Sequence, residues 1–186
     1  MKDPLDWTLV SSEYLFRDSW LTARKDTCRK PDGTLVTPYY VMEYPDWACA
    51  VALTEDKQVV LVRQYRHAIG RSIMELPGGV IDKTDASPLE GVRRELMEET
   101  GYAFRNIEPL GVISANPSTN NNLMHLFLAT GGVKVGEQHL DENEDIEVHL
   151  VSIPQLKEML RRNEILQSLH VTCILYALEK LGELQY

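Results

Sequence analysis

Apolar and polar positions alternate through the first quarter of the chain with the two-residue period of half-buried strands. Trp7 to Arg17, Trp20 to Thr27 and Val36 to Met42 are predicted strands, with Pro31-Asp32-Gly33 as a turn between the last two. Residues 1–45 therefore predict a small antiparallel sheet, a candidate dimerisation element with a second copy as its partner, ahead of a main domain over 46–186. In that domain Ala48 to Leu53 and Gln58 to Gln64 read as strands flanking a turn at Glu55-Asp56-Lys57. Ser72 to Leu76 is another, closed by Pro77-Gly78-Gly79.

The pattern changes to a helical period over Ser87 to Thr100, where Leu89, Val92 and Leu96 form an apolar stripe. Ser87-Pro88-Leu89-Glu90 reads as a capping box, and Gly101 stands where a left-handed cap ends the helix. Leu110 to Ile113 and Leu123 to Ala129 are predicted strands around the polar run Asn116 to Asn122, and Glu147 to Ser152 is the last strand. Helices follow over about Pro154 to Asn163 and Leu169 to Leu181. Strands and helices are mixed without a βαβ alternation, which predicts an α/β or α+β class with a mixed sheet.

Composition narrows the picture. With 186 residues, 44% hydrophobic and 25% charged, the chain can bury a core without staples. No apolar run approaches the roughly 20 residues of a membrane span, and the opening MKDPLDWTLV has neither the basic nor the apolar region of a secretory signal. Cys28, Cys49 and Cys173 have no ligand-like spacing, so a reduced cytoplasmic protein with buried thiols is expected. A formal net charge of −9 argues against nucleic-acid or anionic-membrane binding. A phosphate-bearing substrate stays compatible if metal ions supply positive charge.

The placement of the acids carries the chemistry. Glu95, Glu98 and Glu99 lie at i, i+3 and i+4, so their carboxylates leave one side of the helix. They sit near a C-terminus whose dipole disfavours anions. A solvated charged face explains the spacing alone; a divalent cation held by hard oxygen ligands, Mg²⁺ or Mn²⁺, explains the crowding as well. The flanks decide between the two. Arg94 to Tyr102 reads RELMEETGY, and chance matches its five fixed positions about once in a million starts at average residue frequencies.

At these residues the chain resembles the Nudix hydrolase family, whose box reads G-x5-E-x7-R-E-U-x-E-E-x-G-U, with U a bulky apolar residue. The resemblance implies a Nudix-type α/β/α sandwich with a mixed sheet and cleavage of a diphosphate linked to another group. Glu95, Glu98, Glu99 and the carbonyl of Gly78 are implied as metal ligands, and Arg94 as the partner that orients a box glutamate. One departure stands out. The first box glutamate falls on Ala86, and Gly79 lies one residue too far upstream, so the loop VIDKTDA carries an insertion in which Asp85 or Asp82 can substitute.

Further segments resemble the ADP-ribose pyrophosphatase and nucleotide-sugar hydrolase branch. Arg66 in Gln64-Tyr65-Arg66, Glu75 before LPGG, and Pro117, sixteen residues after Gly101, are implied as substrate-binding. Asp141 to Glu147 resembles a loop in which one glutamate activates water and another touches metal. Glu142 is expected as general base and Glu144 as metal-contacting support, or the reverse, beside Glu98 in catalysis. Tyr14, Phe16 and Trp20 are candidates for base stacking, and the Asn-rich loop either binds sugar hydroxyls or makes turns. The implied activity is hydrolysis of ADP-ribose or a related ADP-sugar by a homodimer using Mg²⁺ or Mn²⁺. The alternatives are another nucleoside diphosphate sugar such as GDP-mannose, a non-catalytic nucleotide-binding sensor, or an interaction domain.

Overall fold

The structure is a computed structural model that describes residues 3–18 and 21–184. It divides into two compact units, one of residues up to Pro45 with Ser114–Asn122, the other of Asp46–Ile113 and Leu123 onward.

In the first unit, strands β1 (Thr8–Arg17), β2 (Thr22–Arg29) and β3 (Leu35–Glu43) form an antiparallel sheet in the order β1-β2-β3. Every residue of β1 is exposed, among them Tyr14 and Phe16; Trp20 lies outside the described residues. The Asn-rich loop is bound to β3 and its continuation. Met42 N–H donates to the Thr119 carbonyl at 2.7 Å, Asn121 Oδ1 accepts from Tyr44 N–H at 3.0 Å, and Asn122 Nδ2 donates to the Pro45 carbonyl at 2.9 Å. These bonds give Asn121 and Asn122 a structural part in the loop.

The second unit holds β4 (Trp47–Thr54), β5 (Gln58–Arg66), β6 (Arg71–Glu75), β7 (Gly78–Val80), β8 (Tyr102–Ser114, to Ile113 in this unit), β9 (Leu123–Lys134) and β10 (Ile146–Ser152). Their order is β10-β5-β4-β9-β8, with β6 added on β5 and β7 on β4. The β4–β9 pair is parallel and β4–β5, β4–β7, β5–β6 and β5–β10 are antiparallel, which makes the sheet mixed. Helix α1 (Pro88–Thr100) covers one face, and α2 (Ile153–Arg161) and α3 (Ser168–Lys180) belong to the core on the other.

Strand β4 shows why both faces are covered. Its run WACAVALT is apolar without a break, as a strand buried on two sides requires. Ala48, Ala50 and Ala52 point to the α1 side, where they join Val92, Leu96 and Phe127. Cys49, Val51 and Leu53 point to the other side and pack with Leu126, Leu156, Cys173 and Ile174. The alanines let α1 come close to the sheet, and that sets the depth of its acidic side chains.

Local signals were partly overridden. Ser87 caps α1 by accepting from Glu90 N–H at 3.3 Å, yet Glu90 turns its carboxylate to Arg93 and no reciprocal box is seen. The capping box occurs instead at Ser152 and Gln155 of α2. Gly78 and Gly79, read as closing the strand before them, form a strand of their own against β4. The predicted Leu110 to Ile113 is the end of a thirteen-residue strand starting at Tyr102.

Candidate active site

The box residues are gathered where α1 passes β7. Gly79 makes this approach possible: a Cβ there would stand 2.8 Å from the Glu95 carboxylate, so any larger residue would push that acid away. Gly78, at φ +145°, has no room for a Cβ against the backbone of Ala48 and Cys49. Its N–H donates to Glu99 Oε2 at 2.7 Å. Strand and helix are thus joined through the acids themselves.

Arg94 organises the near side. Its Nη1 donates to Glu95 Oε1 at 3.0 Å and to Glu98 Oε2 at 2.8 Å, and its Nη2 to the Val80 carbonyl at 2.9 Å. The other edge of the guanidinium meets Asp85 through Nε–Oδ1 at 3.2 Å and Nη2–Oδ2 at 3.1 Å. Asp82 is exposed and 3.6 Å from Nη2, but its N–H donates to Asp85 Oδ2 at 2.8 Å. Asp85 is therefore the acid that completes the arginine's shell, and Ala86, in the position of the missing glutamate, is exposed. Gly91 leaves Asp85 its place, since a Cβ there would lie 3.0 Å from Oδ2.

Burial dominates the electrostatics. Glu95 and Glu99 are 9% and 3% exposed, and Glu98 is half-buried. Desolvation lifts the Glu95 carboxyl to about 7 against the pull of Arg94, with Glu98 and Glu144 adding to the rise. Glu99, also desolvated and facing the charges of Glu95 and Glu144, is pushed up to about 8, while the Gly78 amide and Arg66 act the other way. Two raised acids beside further negative charge form a site that a cation would relieve. The donor set is all hard oxygen, which suits a small divalent ion. Among the described residues no three acidic, histidine or cysteine side chains converge around one point, and Arg94 occupies two of the three carboxylates.

The remaining expected residues divide. Arg66, at the end of β5, gives its Nε to Glu75 Oε2 at 2.8 Å, and Glu75 is 1% exposed, so both belong to one buried-rooted pair whose charge reaches Glu99. Glu144 is half-buried, acts on Glu95 and Glu99, and accepts from Asp141 N–H at 3.1 Å. Glu142 is exposed and makes no hydrogen bond or ion pair among the described residues. Pro117 belongs to the first unit.

Three further residues support the site without having been expected from the sequence. Gln138 Nε2 donates to the Glu99 carbonyl at 2.7 Å and to the Ile146 carbonyl at 3.0 Å, tying the end of α1 to the start of β10. His139 N–H takes the Glu98 carbonyl at 2.8 Å. These bonds satisfy helix-end acceptors, and the only sequence signal was polar residues between two strands. His170 on α3 is 6% exposed; its Nδ1 accepts from Leu76 N–H at 3.2 Å and lies 4.0 Å from Glu75. Burial lowers its pKa to about 3, so it is neutral and braces the strand that leads into Gly78.

Comparison with known proteins bears on the family and the fold. Residues 44–169 match the NUDIX domain model, and residues 7–42 match the nucleoside diphosphate sugar hydrolase N-terminal domain. An ADP-ribose pyrophosphatase of Mycobacterium tuberculosis is 31% identical over 172 residues, covering 91% of this chain and 82% of that one. A GDP-mannose pyrophosphatase of Pectobacterium atrosepticum is 27% identical over 174 residues, 88% of each chain. A crystal structure of an ADP compounds hydrolase superposes with a TM-score of 0.84 at 20% identity, over 99% of this chain and 100% of the other.

Proposed function

The chain belongs to the Nudix family and is a Nudix pyrophosphohydrolase, and from that premise we propose that it hydrolyses the diphosphate bond of ADP-ribose or a related ADP-sugar to AMP and a sugar phosphate. The observation that carries this is the pair of buried acids Glu95 and Glu99, gathered with Glu98 on one side of α1 against Arg94 and the Gly78 amide, a centre that asks for a cation and an anionic substrate. The similarity to an ADP-ribose pyrophosphatase over most of both chains supports the substrate class.

In this reading Glu95, Glu98, Glu99 and the Gly78 carbonyl hold Mg²⁺, or Mn²⁺, which when bound neutralises the diphosphate and acidifies water. Arg66, its guanidinium fixed by Glu75, grips the diphosphate. Glu142 takes the proton from the attacking water and Glu144 supports the metal side, with Glu98 adjoining the reacting groups. Exposure leaves Glu142 free to reach solvent water, and the influence of Glu144 on the box acids suits its supporting part.

Residues 1–45 act as the dimerisation element and 46–186 as the catalytic domain in the same proposal. The wholly exposed β1, with Leu9, Val10, Leu15 and Phe16 on its surface, supports pairing with a second copy. None of the helices is long and apolar enough to cross a membrane among the described residues. Three free thiols, two of them buried, support a reducing, cytoplasmic setting.

The test is a panel of ADP-ribose, GDP-mannose, UDP-glucose, NADH and diadenosine polyphosphates with Mg²⁺, read by AMP or phosphate release. The highest kcat/KM on ADP-ribose supports the proposal. Preference for GDP-mannose would move it to the nucleotide-sugar reading that the Pectobacterium relative favours, and binding without turnover under any divalent metal would sink it.

A further inference from the structure

The β5–β6 hairpin borders a cavity of about 590 Å³ whose walls include Arg66, Arg71, Ile73 and Glu75, with Leu166 and Gln167 also lining it. Arg66 and Arg71 are direct partners in the strand register, so their side chains leave the same face of the hairpin. Two like charges so placed repel unless something compensates both. Glu75 compensates Arg66, at 2.8 Å. Arg71 is exposed, and its side chain makes no hydrogen bond or ion pair among the described residues. In a chain of formal net charge −9, a concave surface with a surplus cation runs against the general trend.

The rest of the lining suits a small polar ligand. Ile73 and Leu166 give apolar wall, and Gln167 uses its Oε1 on the Leu169 N–H at 3.4 Å, which leaves its amide Nε2 as a donor. A pair of guanidiniums around a concave site matches the oxygens of a phosphate group, which both can bind in a forked manner. In the reaction proposed above the diphosphate is served by the box acids and Arg66, which leaves Arg71 without a part in it. The charge of Arg66 also acts on Glu99, which couples this wall of the cavity electrostatically to the box helix.

We propose that this cavity is a subsite for a phosphate monoester carried by the substrate in addition to its diphosphate, and that Arg71 selects for it. The inference rests on the hydrolase reading above and sharpens its substrate class: nucleoside diphosphate compounds bearing a third phosphate on one of their sugars. Arg71 is a specificity residue here, while Arg66 serves both the diphosphate and the added group.

The experiment compares kcat/KM with Mg²⁺ for ADP-ribose and for ADP-ribose carrying a phosphate on the adenosine ribose or on the terminal ribose, in the wild type, Arg71→Ala and Arg71→Lys. The wild type is expected to favour one phosphorylated isomer by about tenfold, the worth of one charge-assisted contact. Arg71→Ala should erase that preference through KM, and Arg71→Lys should recover part of it. The isomer preferred identifies which end of the substrate enters. Equal rates on all three substrates, or a loss in Arg71→Ala that is the same for each, would overturn the subsite. If none is cleaved, the hydrolase reading fails separately, and calorimetric titration with inorganic phosphate then decides: binding weakened by Arg71→Ala keeps the subsite, and identical or absent binding removes it.

Discussion

Two acidic clusters lie in the second unit, and the fold treats them in opposite ways. The one on α1 is drawn into the protein: Glu95 and Glu99 are buried, their oxygens meet Arg94 and the Gly78 amide, and their carboxyls rise to about 7 and 8. The one at 141–145 stays outside, with Glu142 exposed and only Glu144 turned enough to influence the helix. The difference teaches what a run of acids does not reveal by itself. Clustered charge becomes a site when packing forces desolvation, and the alanines of β4 with Gly79 force it here. Where no element covers the acids, water does the neutralising.

Breaking the compensation of the buried cluster should have the largest effect. Arg94→Met removes the cation between Glu95, Glu98 and Asp85 and leaves buried acid unpaired, so unfolding free energy should fall by about 3–5 kcal/mol in urea titrations. Asp85→Ala should lose less, because Arg94 keeps its glutamates. A loss under 1 kcal/mol in Arg94→Met would mean that water screens the cluster and that the contrast with the loop is small. Next comes Glu99→Gln, which keeps an acceptor for the Gly78 amide but removes the charge. With Mg²⁺, kcat/KM on ADP-ribose should drop about 10²–10³-fold. Without metal the sign reverses. A carboxyl raised to about 8 holds a proton in the folded chain that the unfolded chain releases near 4.5, so its ionisation withdraws stability as pH rises through that window. Glu99→Gln should flatten that decline, and an unchanged slope would show that Glu99 is not the group responsible.

How much of this was legible in the sequence follows the same division. Ala48 to Leu53 of β4 was legible as a strand, though not its burial on both faces, and α1 announced itself by its stripe and its Gly101 cap. Glu95, Glu98 and Glu99 followed from helical spacing, which is local. The neighbours of Arg94 did not, since choosing Asp85 over Asp82 depends on how a loop with one extra residue closes under Gly91. Gly78 and Gly79 looked like the end of a strand because proline and glycine interrupt strands; only pairing with β4 made them strand. Glu90 looked like half of a capping box, and Arg93 drew it away. His170 showed no signal at all, since its role comes from α3 landing on the strand before Gly78, a contact between residues 94 positions apart.

Gln138 is the bridge between the clusters, and removing it tests whether they act together. Its amide bonds the Glu99 carbonyl and the Ile146 carbonyl, one at the foot of each acidic group. Gln138→Ala frees both acceptors and should lower stability by about 2 kcal/mol. Turnover should suffer beyond that loss, with kcat falling more than KM changes, because Glu144 would no longer be held against the helix end. A drop in stability with kcat intact would show that the loop finds its place without this bond.

The smallest effect at neutral pH comes from His170, a buried base that extends the contrast from acids to cations. The unfolded chain protonates this histidine near 6.5, whereas burial, aided by Arg66, keeps it neutral in the fold down to about 3. Within that window the unfolded state binds the extra proton, so the stability His170 permits is complete above 6.5 and is lost as pH falls toward 3. The slope from one such group is at most about 1.4 kcal/mol per pH unit. Denaturation midpoints of the wild type and His170→Gln, compared from neutral pH downward, should diverge in slope below 6.5 and run parallel above it, since glutamine can still accept the Leu76 N–H without binding a proton. Parallel curves throughout would mean that the histidine takes up its proton in the folded protein, with the Glu75 carboxylate 4.0 Å away as the partner that allows it. Glu75, Arg66 and His170 would then form a third charged centre rather than a neutral brace beneath the box.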